Sequence, residues 1–320
     1  MKRSPTGSIL ILALWVLFFL ASLTVAAAGH VWAVLQAAER LQDRVLGHMQ
    51  ASSAAAWAVA VIEEHTREAA NGTNGWDGVA ANAWNRDTQA FSMPAPSRGD
   101  PVPQGRVYFS HPDAEEVLGG VVGEEGRLHL NLGSRDRLHA LFAYVGGDQG
   151  ARLANRLFGS TDGSYGGLTG GHEDAYDRAV FQAVEDLLLA DGIDEALFAD
   201  LEPHLTVFGV GNLLNVNSAS RAVLVAFLMS TDEVEGVSNA EAIADEILAA
   251  RQQRGFRDSA DFRARLPGLP SGLLGRGLTF SSTAFRGVAV GAGMEHAQTG
   301  LEIAFVWDTI MRQYVVWRER

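Results

Sequence analysis

The 320-residue sequence contains no cysteine and a single lysine, Lys2. Without cysteine, the chain has no disulfide, no thiolate metal site and no cysteine nucleophile. Without a second lysine, it lacks both the Gly-Lys end of a phosphate-binding loop and the amine that Schiff-base chemistry requires. A Gly-x-Ser-x-Gly turn of the hydrolase type is missing as well. These absences exclude several enzyme classes, and we predict that the chain is not an enzyme.

Positive charge is also scarce. Lysine and arginine together number 25 against 38 aspartates and glutamates, which gives a formal net charge of −13. An acidic chain repels a phosphate backbone, so nucleic acid is an unfavourable partner. Hydrophobic residues make up 47% of the sequence. At this length they suffice for a sizeable core and for more than one folding unit.

Charged residues are absent from a long stretch near the N-terminus, between Arg3 and Glu39. Within it, residues 9–28 are uncharged and apolar except for Ser22 and Thr24, and about 20 predominantly apolar residues span a bilayer as a helix. The basic residues ahead of this segment place residues 1–7 in the cytoplasm and the main body outside it. We therefore predict one membrane-spanning segment over residues 8–29.

Three interpretations of this segment remain open. The small residues at 26–28 suit a cleaved secretory signal, and an uncleaved signal anchor explains the apolar run equally well. The third interpretation uses Gly7, because prepilin peptidases cut after a glycine at such a boundary. The apolar segment would then be kept as the start of the mature chain, at Ser8.

The residues after the apolar segment favour the third interpretation. Apolar side chains recur at spacings of three and four from Val31 to Val59, which is the pattern of one helix face. No proline lies between Ser8 and Pro94, so about 60 residues are expected to form one helix on the order of 90 Å long. A membrane-spanning half that continues into an amphipathic half is typical of a type IV pilin stem.

Alternating hydrophobicity predicts β-strands on both sides of a helical region. The strand-like segments are residues 106–110, 125–132, 279–290, 301–307 and 312–318. Because the two flanks are expected to pair, we predict an α+β fold in which the long N-terminal helix packs on an antiparallel sheet. The expected units are a helix, loop and first strands at residues 30–132, an inserted all-α domain at 133–276 and C-terminal strands at 277–320.

The helical region contains an internal repeat. A nine-residue stretch from Leu130 aligns with one from Val216, and a later segment from Phe181 mirrors one from Phe256. In each copy an asparagine ends an extended piece and a serine is placed to cap the next helix. The matching pairs are Asn131 with Asn217, Ser134 with Ser220 and Arg135 with Arg221.

Short motifs in a fixed order over nearly the whole chain carry a family resemblance. They are Thr6-Gly7, the apolar residues 12–17, Asn131, residues 201–208, residues 214–219 and residues 314–319. Together they resemble general secretion pathway protein K, a minor pseudopilin of the bacterial type II secretion system. The resemblance implies a type IV pilin-like fold with a large helical insertion, and a structural role rather than a catalytic one.

Members of that family stand at the tip of a short periplasmic pseudopilus, which drives the export of folded proteins. The resemblance therefore implies minor pseudopilins I and J, other pseudopilins and the inner-membrane secretion platform as partners. It also implies an inner-membrane protein with a cytoplasmic N-terminus and a periplasmic body, processed between Gly7 and Ser8.

The resemblance gives Leu12 a particular meaning. Major pilins carry a glutamate at the fifth mature position, where it meets the N-terminal amine of a neighbouring subunit; counted from Ser8, that position is Leu12. Because an unpaired amine is costly inside a bilayer, a subunit without this carboxylate is expected at the tip. Leu12 and Trp15 are the membrane residues that we assign to assembly. Assembly is expected to use two apolar faces, one over residues 9–20, which contains both, and one over residues 31–59.

The resemblance also implies a structural calcium ion in the helical insertion. The matching acidic residues are Asp162, Glu173, Asp174 and Asp177. Calcium takes about six to eight oxygen ligands, and a glycine-rich loop can present carbonyl oxygens beside the carboxylates. The alternative is a solvated acidic loop without a metal.

A competing interpretation is a membrane-anchored helix-hairpin-helix protein of the competence type, which binds DNA. Such hairpins hold a phosphate on the backbone N–H groups of a tight glycine-rich turn, supported by lysines. The corresponding turns here, residues 233–238 and 145–148, are acidic. The charge therefore argues against DNA as a partner.

Overall fold

A computed structural model of the chain describes residues 6–70, 105–114, 118–159, 181–231, 233–291 and 301–319. It begins with one uninterrupted helix, α1 (Thr6–Ala70), of 65 residues. At 1.5 Å per residue this helix is roughly 100 Å long. The predicted continuous helix is therefore confirmed, as expected for a stretch without proline.

The remaining helices and strands are short. The α-helices are α2 (Arg135–Phe158), α3 (Glu195–Leu201), α4 (Arg221–Met229), α5 (Val237–Gln253) and α6 (Ser259–Arg265). Short 3-10 helices are formed by Glu124–Gly126, Val184–Leu189, Glu202–His204 and Ser271–Arg276. The strands are β1 (Arg106–Phe109), β2 (Leu118–Gly119), β3 (Val122–Gly123), β4 (Leu128–His129), β5 (Leu205–Thr206), β6 (Leu214–Asn215), β7 (Leu278–Thr279), β8 (Ala284–Gly291), β9 (Leu301–Asp308) and β10 (Gln313–Glu319).

The main sheet is antiparallel and joins strands from both ends of the chain. Its order is β10-β9-β8-β1-β2, and β3 also pairs with β8. Strand β1 meets β8 with Val107 opposite Ala289, and β8 meets β9 with Val288 opposite Ala304. The strands on either side of the helical region thus pair in one sheet, as predicted, and the chain belongs to the α+β class.

The second half of α1 packs on this sheet through small residues. Gly47, Ala51 and Ala58 are buried on the helix face that meets the sheet. The backbones approach so closely that a Cβ atom added at Gly291 in β8 would lie 1.9 Å from the carbonyl oxygen of Gly47. Large side chains from the sheet fill the remaining space, and the main ones are Phe285, Ile303, Phe305 and Trp307.

The residues between β3 and β8 form a second unit with its own hydrophobic core. Helix α4 lies at its centre, with Val223, Leu224, Phe227 and other apolar residues fully or nearly fully buried. Helix α2 kinks sharply at Gly147, whose φ of 53° favours glycine. This left-handed residue separates the two halves of α2, in the first copy of the repeat.

The helical unit differs in one respect from the all-α domain predicted at residues 133–276. It contains two parallel ladders, β4 with β5 and β6 with β7, each two residues long. A two-residue strand offers no alternation of hydrophobicity, so the sequence pattern does not reveal it.

Residues 125–132 were predicted as one strand, and this prediction is wrong in detail. Glu124–Gly126 form a 3-10 turn, and only Leu128–His129 are extended in a ladder. The expected alternation fails because His129 is buried beside Leu128, whereas Leu132 is exposed. The ring of His129 accepts the backbone N–H groups of Asn131 and Leu132, which bends the chain out of the strand.

Candidate assembly surface

The first part of α1 makes few contacts with the rest of the chain. Its large apolar side chains are exposed, among them Leu12 at 68% and Trp15 at 56%. The ring of Trp15 lies 5.9 Å from that of Phe19 and is its neighbour on the same helix surface. Gly7 and Ser8, between which the sequence predicts processing, lie in the first turns of α1. A soluble domain buries such side chains, so this part of α1 requires another environment.

Length and composition make α1 suited to cross a membrane. It is the one helix in the described part of the chain that is long and apolar enough to do so, and its most apolar section is not buried. The structure is therefore compatible with single-pass anchoring near the N-terminus.

Beyond the most apolar section, α1 carries a second apolar surface, which we call the outer stripe. Its members are Val31, Ala38, Leu41, Val45 and Met49, all of them exposed. At about 100° per residue the outer stripe lies ~140° around the helix from the face that meets the sheet. Val45 and Met49 remain 51% and 60% exposed although the sheet lies against the same part of α1.

The outer stripe contains five members of the apolar face that the sequence predicts between Val31 and Val59. The far end of the predicted face differs, because Val59 is partly buried against the core between α1 and the sheet. The face that meets the sheet was missed at the sequence level. Its signal is a row of alanines at spacings of three and four, Ala51, Ala54, Ala55 and Ala58, all fully buried. Alanine is weakly hydrophobic, but its small size permits close approach of helix and sheet.

Ion pairs at the side of α1 connect the helix to the last hairpin of the sheet. Arg312, between β9 and β10, pairs with Glu63 through Nε and Nη2 at 3.2 and 3.0 Å. His48 lies 3.0 Å from Glu319 at the end of β10. These contacts are solvent-exposed and contribute little to stability singly. Neither involves a residue of the outer stripe.

A buried polar junction joins the sheet to the helical unit. Glu125 is 3% exposed and accepts the backbone N–H of Thr283 at 2.9 Å, together with its hydroxyl. Burial raises the pKa of Glu125, and these hydrogen bonds oppose the shift. The neighbouring Glu124 accepts the hydroxyl of Thr206 and lies 3.5 Å from the guanidinium of Arg286. Polar groups paired in this way fix the relative position of the two units.

Buried histidines belong to the same region. His111 is 5% exposed, and its Nε2 lies 3.1 Å from the carbonyl oxygen of Ser218 while Nδ1 accepts the N–H of Asp113. Burial lowers the pKa of His111 to about 3. Burial likewise lowers the pKa of His204 to about 4. Both rings are therefore neutral at pH 7 and act as hydrogen-bonding groups of the fold.

The predicted calcium ligands lie outside the described residues. They are Asp162, Glu173, Asp174 and Asp177. Among the residues that the structure does describe, no group of three or more histidines, aspartates or glutamates is close enough together to hold a metal ion.

The hairpins of the repeat are acidic where they are described. The turn between α4 and α5 contains Glu233 and Glu235. The nearest basic residue at the start of α4, Arg221, pairs with Asp245 at 2.7 Å and lies 3.4 Å from Glu241. Its charge is therefore already neutralised within the unit.

A scan against protein-family models and a search of curated proteins found no match to this chain.

Proposed function

We propose that the chain is a structural minor pseudopilin of a type II secretion system, located at the tip of the pseudopilus. In this role it helps to nucleate filament assembly and so supports the export of folded proteins from the periplasm. Its fold is then of the type IV pilin kind, with the helical unit as an insertion. Its partners are pseudopilins I and J, the other pseudopilins and the inner-membrane platform.

The observation that carries the proposal is the pair of apolar faces on α1. One face is covered by the sheet, and the outer stripe on the other side has no cover within the described chain. The outer stripe continues from the segment that is suited to cross a membrane. A signal anchor needs only the membrane segment. A second apolar face beyond it is explained when other long helices pack beside α1.

The first experiment determines the N-terminal residue of the protein in the membrane fraction. The proposal predicts a mature chain that starts at Ser8. A chain that starts at Gly29 identifies an ordinary secreted protein, and retention of Met1 identifies a signal anchor. Either of these results refutes prepilin processing.

The second experiment uses the absence of cysteine, since single cysteines can be introduced without removing others. Ala38 lies in the outer stripe and Ala37 lies ~100° away on the same turn, and both are exposed. We expect Ala38→Cys to form disulfides with cysteines placed in the stems of pseudopilins I or J, and the matched Ala37→Cys to form far fewer. Equal yields from the two variants would show that the outer stripe does not face partner stems.

DNA binding is disfavoured by the charge of the hairpins. The acidic turn and the paired Arg221 provide no surface for a phosphate backbone. A gel-shift assay at low salt, where binding electrostatics are strongest, tests this alternative directly. Retention of duplex DNA that disappears with added salt would support the competence-type function instead.

A further inference from the structure

A cleft opens where the first copy of the repeat meets the second. Its volume is about 420 Å³, which is within the usual range of small-molecule sites. The lining comes from four places in the helical unit: the start of α2, the link before β6, the residues after α4 and the residues before β7. Residues that matter for its chemistry are Ser134, Asp136, Arg137, Asn212, Thr231 and Arg276.

Arg137 places a buried positive charge on the wall of this cleft. It is 6% exposed, and its guanidinium lies over the ring of Phe227 at 4.7 Å. Its hydrogen bonds run to the main-chain and side-chain oxygens of Asn212, at 2.8 and 3.0 Å, and to the carbonyl oxygen of Arg276. All three acceptors are neutral, and no carboxylate of the described chain forms a salt bridge with Arg137.

This arrangement is electrostatically unusual. A buried guanidinium is normally paired with an anion, because desolvation of an unpaired charge is costly. Here a second arginine, Arg276, lines the same cleft, and burial together with this like charge lowers the pKa of Arg137. The hydrogen bonds of Arg137 engage Nη1 twice and Nη2 once, which leaves two of the five guanidinium N–H groups without an acceptor in the described residues.

Comparison of the two repeat copies shows that this feature belongs to the first copy alone. In the second copy, Ser220 caps α4 by accepting the N–H of Val223 and also bonds His204. The equivalent Ser134 makes no such cap at the start of α2 and lines the cleft instead. The residue that matches Arg137 in the second copy is the buried, apolar Val223.

We propose that this cleft binds an oxyanion, a carboxylate or phosphate group that contacts Arg137, Arg276 and the hydroxyl of Ser134. The group is carried by a small molecule or by the end of a partner chain. Binding supplies the negative charge that the buried guanidinium lacks and joins the two repeat copies more firmly. Asp136, the carboxylate in the lining, limits the affinity by repulsion.

The test is calorimetric titration of the full-length protein in detergent with inorganic phosphate at constant ionic strength, followed by titration with acetate. Saturable binding of phosphate favours a phosphate group as the natural ligand, and tighter binding of acetate favours a carboxylate. We expect Arg276→Gln to weaken binding about fivefold or more, since a charge-assisted hydrogen bond is lost. Asp136→Asn should strengthen binding about two- to fivefold, since a like charge is removed.

Arg263→Gln is the matched control, because Arg263 is exposed on α6 and does not line the cleft. It changes the net charge by the same amount as Arg276→Gln and should leave the affinity unchanged. If Arg276→Gln fails to fold, the Asp136→Asn variant tests the proposal alone. In a cleft without an anion site, this substitution would leave phosphate binding unchanged. Absence of saturable binding, or an equal loss with both arginine variants, overturns the proposal.

Discussion

The buried histidines hold their positions as neutral rings. His111 bridges β1 and the second repeat copy through Ser218, and His204 bonds the hydroxyl of Ser220. Each ring has its pKa lowered by burial, to about 3 and about 4. A proton on His111 would introduce a charge into the interior close to arginines, among them Arg251 and Arg286. A proton on His204 would be repelled by Arg127 and attracted by Asp200.

This charge state predicts how stability depends on pH. Because the pKa of His111 in the folded chain lies below its ordinary value of 6.5, the unfolded chain takes up the proton first as the pH falls. The stabilisation from the neutral ring is complete above pH 6.5 and is lost as the pH falls from there to about 3. Its slope is up to about 1.4 kcal/mol per pH unit.

The measurement is urea unfolding of the wild type and of His111→Asn between pH 7 and pH 4. We expect the free energy of unfolding to fall less steeply with decreasing pH in the variant, which keeps a donor for Ser218 but has no titrating ring. The pKa values of Asp113 and Glu125 are raised by burial and act in the opposite sense. Both groups remain in the variant, so parallel curves would contradict the assignment to His111.

At the scale of elements, the two repeat copies use the same asparagine clamp. Asn131 exchanges two hydrogen bonds with the backbone of Phe181, at 2.8 and 2.9 Å. Asn217 does the same with Phe256, at 2.8 and 2.7 Å, and donates a further bond to Phe280. The aligned asparagines are therefore structural, and each joins the start of its copy to a segment that lies 39 to 50 residues further along the chain.

Loss of the clamp should cost more in the second copy. Asn217 is 1% exposed, and Asn217→Ala leaves the buried N–H and carbonyl groups of Phe256 and the part-buried carbonyl group of Phe280 without this partner. Each such group costs about 1–3 kcal/mol. Asn131 is only partly buried, so water can replace its amide in Asn131→Ala. Thermal unfolding of the two variants should show the larger loss for Asn217→Ala, and equal losses would show that burial does not set the cost.

The contact of α1 with the sheet depends on the absence of side chains at its closest point. Gly291→Ala would place a methyl group 1.9 Å from the carbonyl oxygen of Gly47, and the helix must move away. Overpacking of this kind costs about 1–3 kcal/mol. Gly268→Ala is the matched control, since nothing lies within 4 Å of an added Cβ there. Chemical denaturation should show a loss for Gly291→Ala only; similar stabilities would mean that the contact is loose.

The same elements show what the sequence can and cannot predict. Helix α1 and strands β8 to β10 were predictable because their patterns extend over seven residues or more. The alanine face of α1 was not, because the larger apolar residues of the outer stripe dominate the periodicity. The cleft beside Arg137 depends on four separate segments that meet only in the folded chain, so no local pattern indicates it.

On the scale of the whole molecule, α1 serves the fold and the proposed assembly with different faces. The sheet and the polar junction around Glu124 and Glu125 hold the helical unit in a fixed position relative to α1. Contacts made by neighbouring stems on the outer stripe would therefore set the position of the whole body. Under the proposed function, this connection lets a membrane-anchored helix determine where the helical unit stands at the filament tip.

Under the proposed function, residue 12 at the membrane end of α1 determines which position the subunit takes in the filament. Leu12 is 68% exposed on a helix without acidic residues in its first turn, so it offers no carboxylate to the amine of a neighbouring subunit. Leu12→Glu supplies one, and we expect the variant to enter internal positions because the amine is then paired within the bilayer. Quantitative immunoblots of sheared pseudopili should show several-fold more copies per filament, with reduced export of folded protein.

Leu12→Gln, which is polar but uncharged, is the control variant and should remain at wild-type copy number. Unchanged copy number and export in Leu12→Glu would show that residue 12 does not confine the subunit to the tip, whereas an equal rise in both variants would assign the effect to lost hydrophobicity rather than to charge.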